Sequence, residues 1–362
     1  MINLAKIIIT SSVIIFTAVP HSVAVTTEQI LQFRLERIPN GLKDPKRAIL
    51  FKAVDGAASQ EAQAAKSKSP YFQKIHSNPN NVAIGYFQNG SLATSLKYQA
   101  SDETPFFVYS VTKFVVGFLI ADQVCQGRID PAKKMGELSS DLSETAYRDI
   151  AFKDVLGMSS GVFSNANQQT VKSYQEVTRK GVSMMQQLSA QKKPAYLAGT
   201  KFDYSNYDSN ALSFAVIGAT GKTIAQLFET VVWENINPSY DGYWLKDSDG
   251  LPVGAFGLAL SAGDLLKMGS FMVNRVRNEQ CLKDYYTGEG EVDNRNLGIA
   301  NWRKHSWVNP KNLNQFGGAG YGGQRLVFDT TTGSVVFVYS NYNDKYDENT
   351  FSIAWRLLDD LR

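Results

Sequence analysis

The chain has 362 residues, of which 43% are hydrophobic, 20% charged and 12% aromatic. This composition is typical of a globular protein and excludes a disordered chain, and the length allows a large core in one domain or in two interleaved ones. The formal net charge is only +3, which is too small to indicate a nucleic acid or a membrane surface as a partner.

The first 24 residues have the features of a secretory signal peptide. Lys6 precedes an apolar run from Ile7 to Val19, and Ser22-Val23-Ala24 forms a small-x-small cleavage site. The apolar run is short for a membrane anchor. We therefore expect cleavage near Ala24, export of the mature chain to the periplasm or the medium, and no stable membrane span after cleavage.

The first clear strand pattern lies at residues 81–99. Two runs of strand-forming residues are separated by Asn89-Gly90, the dipeptide that best fits the type I′ turn of a β-hairpin. The pattern predicts that sheet comes before helix in this part of the chain.

A serine and a lysine three residues apart follow the hairpin. The stretch Tyr109-Ser110-Val111-Thr112-Lys113 opens an apolar run to Ala121, which predicts a buried helix. One helical turn places the Ser110 hydroxyl and the Lys113 amine on the same face. Burial lowers the pKa of a lysine, so that the neutral amine accepts a proton, and a helix N-terminus favours an ionised serine. We interpret the pair as a nucleophile and its proton acceptor.

Two further serines test how specific this interpretation is. Ser189 and Lys192 repeat the Ser-x-x-Lys spacing, but no apolar helix follows them. The segment Gly157-Met-Ser159-Ser-Gly161 matches the Gly-x-Ser-x-Gly elbow of α/β-hydrolases, with His305 downstream in the required order. The next residues lack the apolar helix that this elbow requires. An α/β-hydrolase with Ser159 as its nucleophile stays open as an alternative.

The C-terminal part returns to strand patterns. Residues 320–329 and 334–340, joined by a turn at Thr331-Thr332-Gly333, predict a second hairpin, and residues 349–361 predict a closing helix. Sheet thus forms at both ends of the chain, with helices between them.

This order predicts an α+β fold, an α/β sandwich in one domain that spans residues 25–362. Its antiparallel sheet comes from about 80–100 and 315–342, is flanked by helices, and is interrupted in sequence by a mostly helical region at about 130–310. A cleft between the sheet and the helical region is the expected place for a site.

Cysteines and histidines are few. An oxidising compartment would allow a disulfide between Cys125 and Cys281, but Cys125 ends the predicted buried helix, where a free cysteine is an equally good apolar filler. The bond stays open. The three histidines, His21, His76 and His305, form no cluster at ligand spacing, so we expect no metal and no cofactor.

A second informative stretch, Gly199-Thr-Lys-Phe-Asp-Tyr204-Ser205-Asn206, contains a Tyr-x-Asn motif between a Gly-Thr turn and an apolar helix pattern. Tyr339-Ser-Asn341 repeats the motif without that context. Here the chain resembles the serine β-lactamase and DD-peptidase superfamily, especially its class C-like branch. The order is similar as well, with Ser-x-x-Lys first and a glycine-rich strand near the C-terminus. The resemblance implies a β-lactamase/transpeptidase-like fold.

The third motif of that superfamily is Lys-Thr-Gly or a relative, on the strand that faces the serine. The candidate here, Phe316-Gly317-Gly318-Ala319, contains no lysine. In this respect the chain resembles the esterase and 6-aminohexanoate-dimer hydrolase members of the branch. A cation at that place holds a substrate carboxylate, so its loss weakens the expectation of β-lactamase activity. Arg303 or Lys304 would have to replace it.

The resemblance implies an acyl-enzyme mechanism on an ester or amide. Ser110 would attack the carbonyl, and Lys113 together with Tyr204 would take the proton and return it to the leaving group; which of the two is the formal base stays open. A β-lactamase or DD-peptidase, or a penicillin-binding protein with slow or no turnover, is the main alternative. The partner is then a small ester or amide, or a peptidoglycan-derived or β-lactam substrate.

Supporting roles follow from the same resemblance. Asn206 would be an orienting amide. The backbone N–H groups of Ser110 and Ala319 would form the oxyanion hole, and Gly317 and Gly318 would let the backbone approach the substrate closely.

Overall fold

The structure is a computed structural model that describes residues 9–10, 13–14, 42–54, 63–64, 68–287, 293–297, 300–340 and 348–362. Its strands, in chain order, are β1 (Ile9–Thr10), β2 (Val13–Ile14), β3 (Ala48–Phe51), β4 (Gln63–Ala64), β5 (Asn81–Gln88), β6 (Ser91–Leu96), β7 (Phe106–Phe107), β8 (Gly242–Leu245), β9 (Leu258–Leu260), β10 (Asp293–Leu297), β11 (Ala300–Arg303), β12 (Ser306–Asn309), β13 (Asn312–Ala319), β14 (Arg325–Asp329) and β15 (Val335–Ser340).

The helices of the same described parts are α1 (Pro70–Ser77), α2 (Val111–Cys125), α3 (Met135–Leu138), α4 (Phe152–Leu156), α5 (Ala166–Arg179), α6 (Met184–Ser189), α7 (Asn206–Thr220), α8 (Ile224–Val231), α9 (Ala262–Asn278), α10 (Gln280–Thr287) and α11 (Glu348–Asp360). Short 3-10 turns lie at Ser140–Leu142 and Trp233–Asn235.

The main sheet has the spatial order β10-β11-β12-β13-β14-β15-β5-β6-β4. Its pairs are antiparallel except for β4 with β6. β15 pairs with β5, so the C-terminal strands continue the N-terminal hairpin in one sheet. The α+β fold predicted from the sequence is confirmed. A smaller sheet has the order β3-β8-β9-β7.

Helices cover both faces of the main sheet. Helices α2 and α9 pack on one face, and α1 and α11 pack on the other. The strand β15 shows why both faces are apolar, since Val335 and Phe337 belong to the core of the first face and Val336 and Val338 to that of the second. Side chains that alternate along a strand in this way require a helix layer on each side.

The hairpin predicted at residues 81–99 is confirmed as β5 and β6, with Gln88 opposite Ser91. Asn89 and Gly90 have φ values of 49° and 79°, the left-handed conformation that a type I′ turn requires. The second hairpin, β14 and β15, and the closing helix α11 are also present as predicted.

The structure differs at residues 300–309 from the sequence pattern, which predicts a mostly helical region there. Here β11 and β12 form a hairpin that extends the main sheet. Its turn residues, Lys304 and His305, have φ values of 48° and 65°. Because neither is glycine or asparagine, the usual sequence signal of a tight hairpin is missing.

The helical region is organised around α7, which contacts α3, α4, α5 and α6. This helix is buried although it carries several polar side chains: Asn206, Asp208, Ser209, Asn210 and Ser213 are each at most 2% exposed. Buried polar groups require hydrogen-bond partners, and several of those partners belong to the site described below.

The disulfide that the sequence left open is formed between Cys125 and Cys281. It joins the last residue of α2 to the second residue of α10. The signal-peptide prediction for residues 1–24 lies, apart from β1 and β2, outside the described residues. In the described part of the chain, no single helix is long and apolar enough to span a membrane; α7 and residues 224–235 reach that length only as a pair bent by 70°.

Candidate active site

Ser110 lies at the N-terminus of α2, where β7 ends. The backbone N–H of Val108 donates to the carbonyl of Leu258 at 3.0 Å, which fixes this turn against β9. Tyr109 then adopts a φ of 48°, an uncommon conformation for a bulky residue. The turn leaves Ser110 half-buried at the helix N-terminus, beside backbone N–H groups that have no helical acceptor.

Lys113 connects the helix to the other elements of the site. Its Nζ lies 3.0 Å from Ser110 Oγ, 2.7 Å from Asn206 Oδ1 and 2.8 Å from the carbonyl oxygen of Ala255. The side chain is 1% exposed, and burial places its pKa well below the usual value of 10.5. The structure thus holds a buried lysine amine in contact with the serine hydroxyl, in an environment that favours the neutral form.

Tyr204 and Asn206 reach the same place from the start of α7. Ser205 caps this helix, since its hydroxyl accepts from the Asp208 N–H at 3.2 Å. Lys113 Nζ lies 4.9 Å from the centre of the Tyr204 ring, and Asn206 Nδ2 donates to the carbonyl of Thr170 on α5. The two motifs predicted from the sequence are therefore brought together.

Glycines at the end of β13 and just after it allow this segment to lie directly against the serine turn. A Cβ on Gly318 would lie 2.9 Å from the Cα of Val111, and one on Gly320 would lie 2.7 Å from the carbonyl oxygen of Val108. Ala319 between them pairs with Arg325 in the sheet. Gly317 meets a different neighbour, because its Cβ would lie 2.1 Å from the carbonyl oxygen of Leu326 on β14.

The turn after β13 uses most of its own N–H groups. The N–H of Gly320 donates to the Gln324 carbonyl, that of Gly322 to Gln324 Oε1, and that of Gly323 to the Gly320 carbonyl. The side chain of Arg325 donates to the carbonyls of Gly320 and Gln324. The strand end beside Ser110 is therefore held rigidly by Gln324 and Arg325.

Arg303 and Lys304 do not replace the missing lysine of the third motif. Arg303 is 6% exposed and donates to the carbonyl of Tyr286 at 2.8 Å. The Lys304 amine lies over the ring of Tyr285, 4.9 Å from its centre. On the side of Tyr204 the hairpin instead presents aromatic rings, with Trp307 stacked at 5.7 Å.

The two rival serines lack the partners that a nucleophile needs. Ser159 Oγ donates to the carbonyl of Asp154 at 3.0 Å and follows the helix α4 rather than a strand, so the fold contradicts the α/β-hydrolase alternative. His305 contacts Ser209 Oγ and the carbonyl of Leu156, not Ser159. Ser189 contacts the sulfur of Met185, and Lys192 donates to the carbonyl of Glu144.

His305 is a fully buried neighbour of the lysine. Burial, together with the nearby Lys113, lowers its pKa to about 3, so the ring is neutral near pH 7. Because the carbonyl of Leu156 can only accept, Nδ1 carries the proton and Nε2 faces the Ser209 hydroxyl at 2.9 Å. His305 is thus a structural contact of α7 and not a proton shuttle at Ser110.

Asp208 is a second buried ionisable group near the motif. Its Oδ1 accepts from the Tyr147 hydroxyl at 2.8 Å and from Ser160 Oγ at 2.6 Å, whereas Oδ2 has no partner among the described residues. Burial raises its pKa to about 7. A carboxyl group at this depth titrates in the physiological range.

We expect Asp208→Asn to flatten the pH dependence of stability. The raised pKa stabilises the fold below the unfolded pKa of 3.8, and this contribution disappears as pH rises to about 7. Between pH 3.8 and pH 7, this group changes the free energy of unfolding by at most about 4 kcal/mol. Urea unfolding at pH 5 and pH 8 measures this effect. The free energy of unfolding should fall more between the two pH values in the native protein than in Asp208→Asn. The variant Asp102→Asn, at an exposed position, should behave like the native protein.

One contact of the site has no counterpart among the predicted residues. Ala255, in the segment before β9, contributes only its backbone carbonyl to Lys113. A backbone acceptor leaves no signal in a side-chain pattern. The nearest clue is Gly254, whose Cβ would lie 2.1 Å from Ser213 Oγ, so that only glycine lets this segment lie against α7.

Comparison with known proteins shows the family of the chain. The Beta-lactamase family model matches residues 79–358. A 6-aminohexanoate-dimer hydrolase of Paenarthrobacter ureafaciens is 23% identical over 259 residues, which cover 65% of this chain and 66% of that protein. The chain thus spans slightly less than two thirds of this relative.

Solved structures share the fold. A protein of Bacillus anthracis assigned as a 6-aminohexanoate-dimer hydrolase has a TM-score of 0.73 at 17% identity, covering 95% of this chain and 98% of its own. A family VIII carboxylesterase has a TM-score of 0.59 at 15% identity, covering 81% and 99%. The resemblance noted in the sequence is confirmed: the chain belongs to the beta-lactamase family of hydrolases.

Proposed function

We propose that this chain is an exported serine hydrolase that cleaves an ester or amide through an acyl-enzyme on Ser110. Lys113 and Tyr204 act as its acid and base, Asn206 orients them, and the end of β13 at Gly317, Gly318 and Ala319 contributes to the oxyanion hole.

The observation that carries this proposal is the set of contacts at Lys113 Nζ. The Asn206 and Ala255 oxygens at 2.7 and 2.8 Å can only accept hydrogen bonds. In a neutral amine they take both N–H groups, and the lone pair is left for the third neighbour, Ser110 Oγ at 3.0 Å. The amine is thereby aimed at the serine proton, which supports its role as a general base.

The reaction then follows in two halves. Ser110 Oγ forms a bond to the carbonyl carbon while its proton passes to Lys113 Nζ. The proton goes on to the leaving oxygen or nitrogen, with the Tyr204 phenol alongside the amine, and the leaving group departs. Water attacks the acyl-enzyme with the same groups as base and acid, which releases the acid and restores Ser110.

Two features support further parts of the proposal. The disulfide between Cys125 and Cys281 is typical of proteins in oxidising compartments, which agrees with the predicted signal peptide and export.

Arg303 and Lys304 make their contacts elsewhere, which leaves the third-motif strand without a cation from these residues. We therefore favour an uncharged ester or amide over a β-lactam, whose carboxylate needs such a partner.

Labelling with a fluorophosphonate tests the nucleophile. We expect peptide mapping to place the label on Ser110 in the native protein and in Ser159→Ala, and expect no label in Ser110→Ala. Ser110→Ala keeps the backbone N–H and loses only the hydroxyl, so it should fold normally. Label that persists in Ser110→Ala and disappears in Ser159→Ala would refute the assignment.

Turnover distinguishes the hydrolase from a penicillin-binding protein with slow turnover. With p-nitrophenyl butyrate we expect an initial burst of p-nitrophenol followed by steady release over many equivalents. A burst of one equivalent without further release would instead favour the alternative, a protein that acylates and does not deacylate.

A further inference from the structure

A buried asparagine one helical turn beyond Asn206 lies behind the carbonyl that faces Lys113. Asn210 is 0% exposed, and its Oδ1 accepts from the backbone N–H of Ala255 at 3.2 Å. The carbonyl of the same residue, Ala255, accepts from Lys113 Nζ at 2.8 Å. Asn206 and Asn210 lie four residues apart and therefore on one face of α7.

The segment that contains Ala255 is held from both sides. On the α7 side it is fixed by Asn210 and by the close approach of Gly254 to Ser209 and Ser213. On the α2 side the N–H of Leu258 donates to Thr112 Oγ1 at 3.2 Å. The Ala255 carbonyl thus keeps its direction only while this segment stays between the two helices.

Asn210 is itself held by the helices outside it. Its Nδ2 lies 3.4 Å from Gln187 Oε1 on α6, and Gln187 Nε2 donates to the Ser173 carbonyl and to Glu176 on α5. The amide orientation is therefore determined, because Nδ2 must face the Gln187 oxygen and Oδ1 must face the Ala255 N–H. The polar chain runs from α5 through α6 and α7 to the lysine.

We infer that Asn210 is a positioning residue for Lys113, an inference that rests on the proposed function. By holding the Ala255 N–H, it directs the Ala255 carbonyl at the lysine amine. Two acceptors, Asn206 Oδ1 and the Ala255 carbonyl, then occupy both N–H groups of the neutral amine and turn its lone pair to Ser110. Loss of one acceptor lets the amine rotate, which lowers the rate of serine attack without altering the space in which substrate binds.

The test measures the reaction of Ser110 with a fluorophosphonate, so that it does not depend on the choice of substrate. For Asn210→Leu, which has the same number and branching of side-chain heavy atoms but no acceptor, we expect the limiting labelling rate to fall about 10- to 100-fold. The half-saturating probe concentration should change less than about threefold, because the binding space is kept. Asn210→Asp keeps the acceptor and should restore the limiting rate at its pH plateau.

Tyr147→Phe is the matched control, because it removes a different buried hydrogen bond to α7, the one to Asp208, and leaves Asn210 and Ala255 in contact. We expect its limiting rate to stay within about threefold of the native rate. A folded Asn210→Leu that labels as fast as the native protein would overturn the inference, and so would an equal loss in Tyr147→Phe.

If Asn210→Leu does not fold, Asn210→Ala removes the same acceptor without adding bulk. Its limiting labelling rate should fall by a similar factor, about 10- to 100-fold. A folded Asn210→Ala that labels as fast as the native protein would overturn the inference. Absence of label at Ser110 in the native protein would instead refute the proposed function, and the inference with it.

Discussion

Replacement of Lys113 with arginine is expected to lower kcat/KM for an ester about 1000-fold or more, within the range that general acid–base catalysis contributes. A guanidinium stays protonated at any working pH and cannot accept the Ser110 proton. Lys113→Met should cause a similar loss, because it removes the amine and leaves the Asn206 and Ala255 oxygens without their donor. The measurement is steady-state hydrolysis of p-nitrophenyl butyrate at several pH values.

The pH dependence of the native enzyme also tests whether Lys113 is the base. Only the neutral amine can accept the serine proton, so activity should rise as pH increases through the pKa of Lys113 and disappear below it. Burial places that pKa well below 10.5, so the acid limb should lie far below the range of an exposed lysine. In Lys113→Met this limb should vanish from the residual activity.

Lys192 offers a matched control within the same chain. It belongs to the second Ser-x-x-Lys pattern, but it is exposed and donates to the carbonyl of Glu144. Lys192→Met and Lys192→Arg should keep activity within about twofold, as is usual for exposed surface positions. If Lys113→Arg kept more than a tenth of native activity, Lys113 would not be the base.

These residues also show what a sequence can predict about such a site. Ser110 and Lys113 were predictable because a helix imposes a fixed geometry on residues three apart, and the apolar run after them predicted burial. Tyr204 and Asn206 were found through the resemblance of their motif, with its turn and its following helix, to the second motif of the superfamily. Local periodicity was sufficient for the first pair, whereas the second pair required the resemblance.

The parts that were missed depend on contacts between distant segments. Ala255 contributes a backbone carbonyl to Lys113, and Asn210 binds the N–H of the same residue from a helix that is distant in sequence. Neither contact leaves a local sequence pattern. The hairpin of β11 and β12 was missed because Lys304 and His305 adopt left-handed conformations that are unusual for such residues. Packing of Trp302 and Trp307 against Tyr204 offers a tertiary reason for the turn, which no propensity describes.

Removal of the disulfide should strongly lower the stability of the fold. The bond closes a loop between positions separated by 156 residues, and chain entropy predicts a stabilisation of about 5 kcal/mol for a loop of that size. The double variant Cys125→Ala, Cys281→Ala should therefore melt roughly 5–8 °C lower than the native protein, given the size of the chain. Thermal unfolding with and without a reductant measures the difference.

The reductant separates the role of the bond from a packing defect at the new alanines. A reductant should lower the melting temperature of the native protein to near that of the double variant, and should leave the variant unchanged. A cavity at the new alanines would instead lower the melting temperature of the variant further than reduction lowers that of the native protein. Equal melting temperatures for the native and variant proteins without reductant would contradict the prediction.

Activity should respond far less than stability to the same change. Cys125 is the last residue of α2 and Ser110 precedes its first, so roughly 20 Å of helix separate the bond from the nucleophile. The contacts that aim Lys113 come from α7 and from Ala255, on neither of the elements that the disulfide joins. We therefore expect kcat for p-nitrophenyl butyrate at 25 °C to stay within about twofold in the double variant, while its half-life on heating shortens. A variant that stayed folded but lost most of its activity would mean that the disulfide positions α2, and with it Ser110.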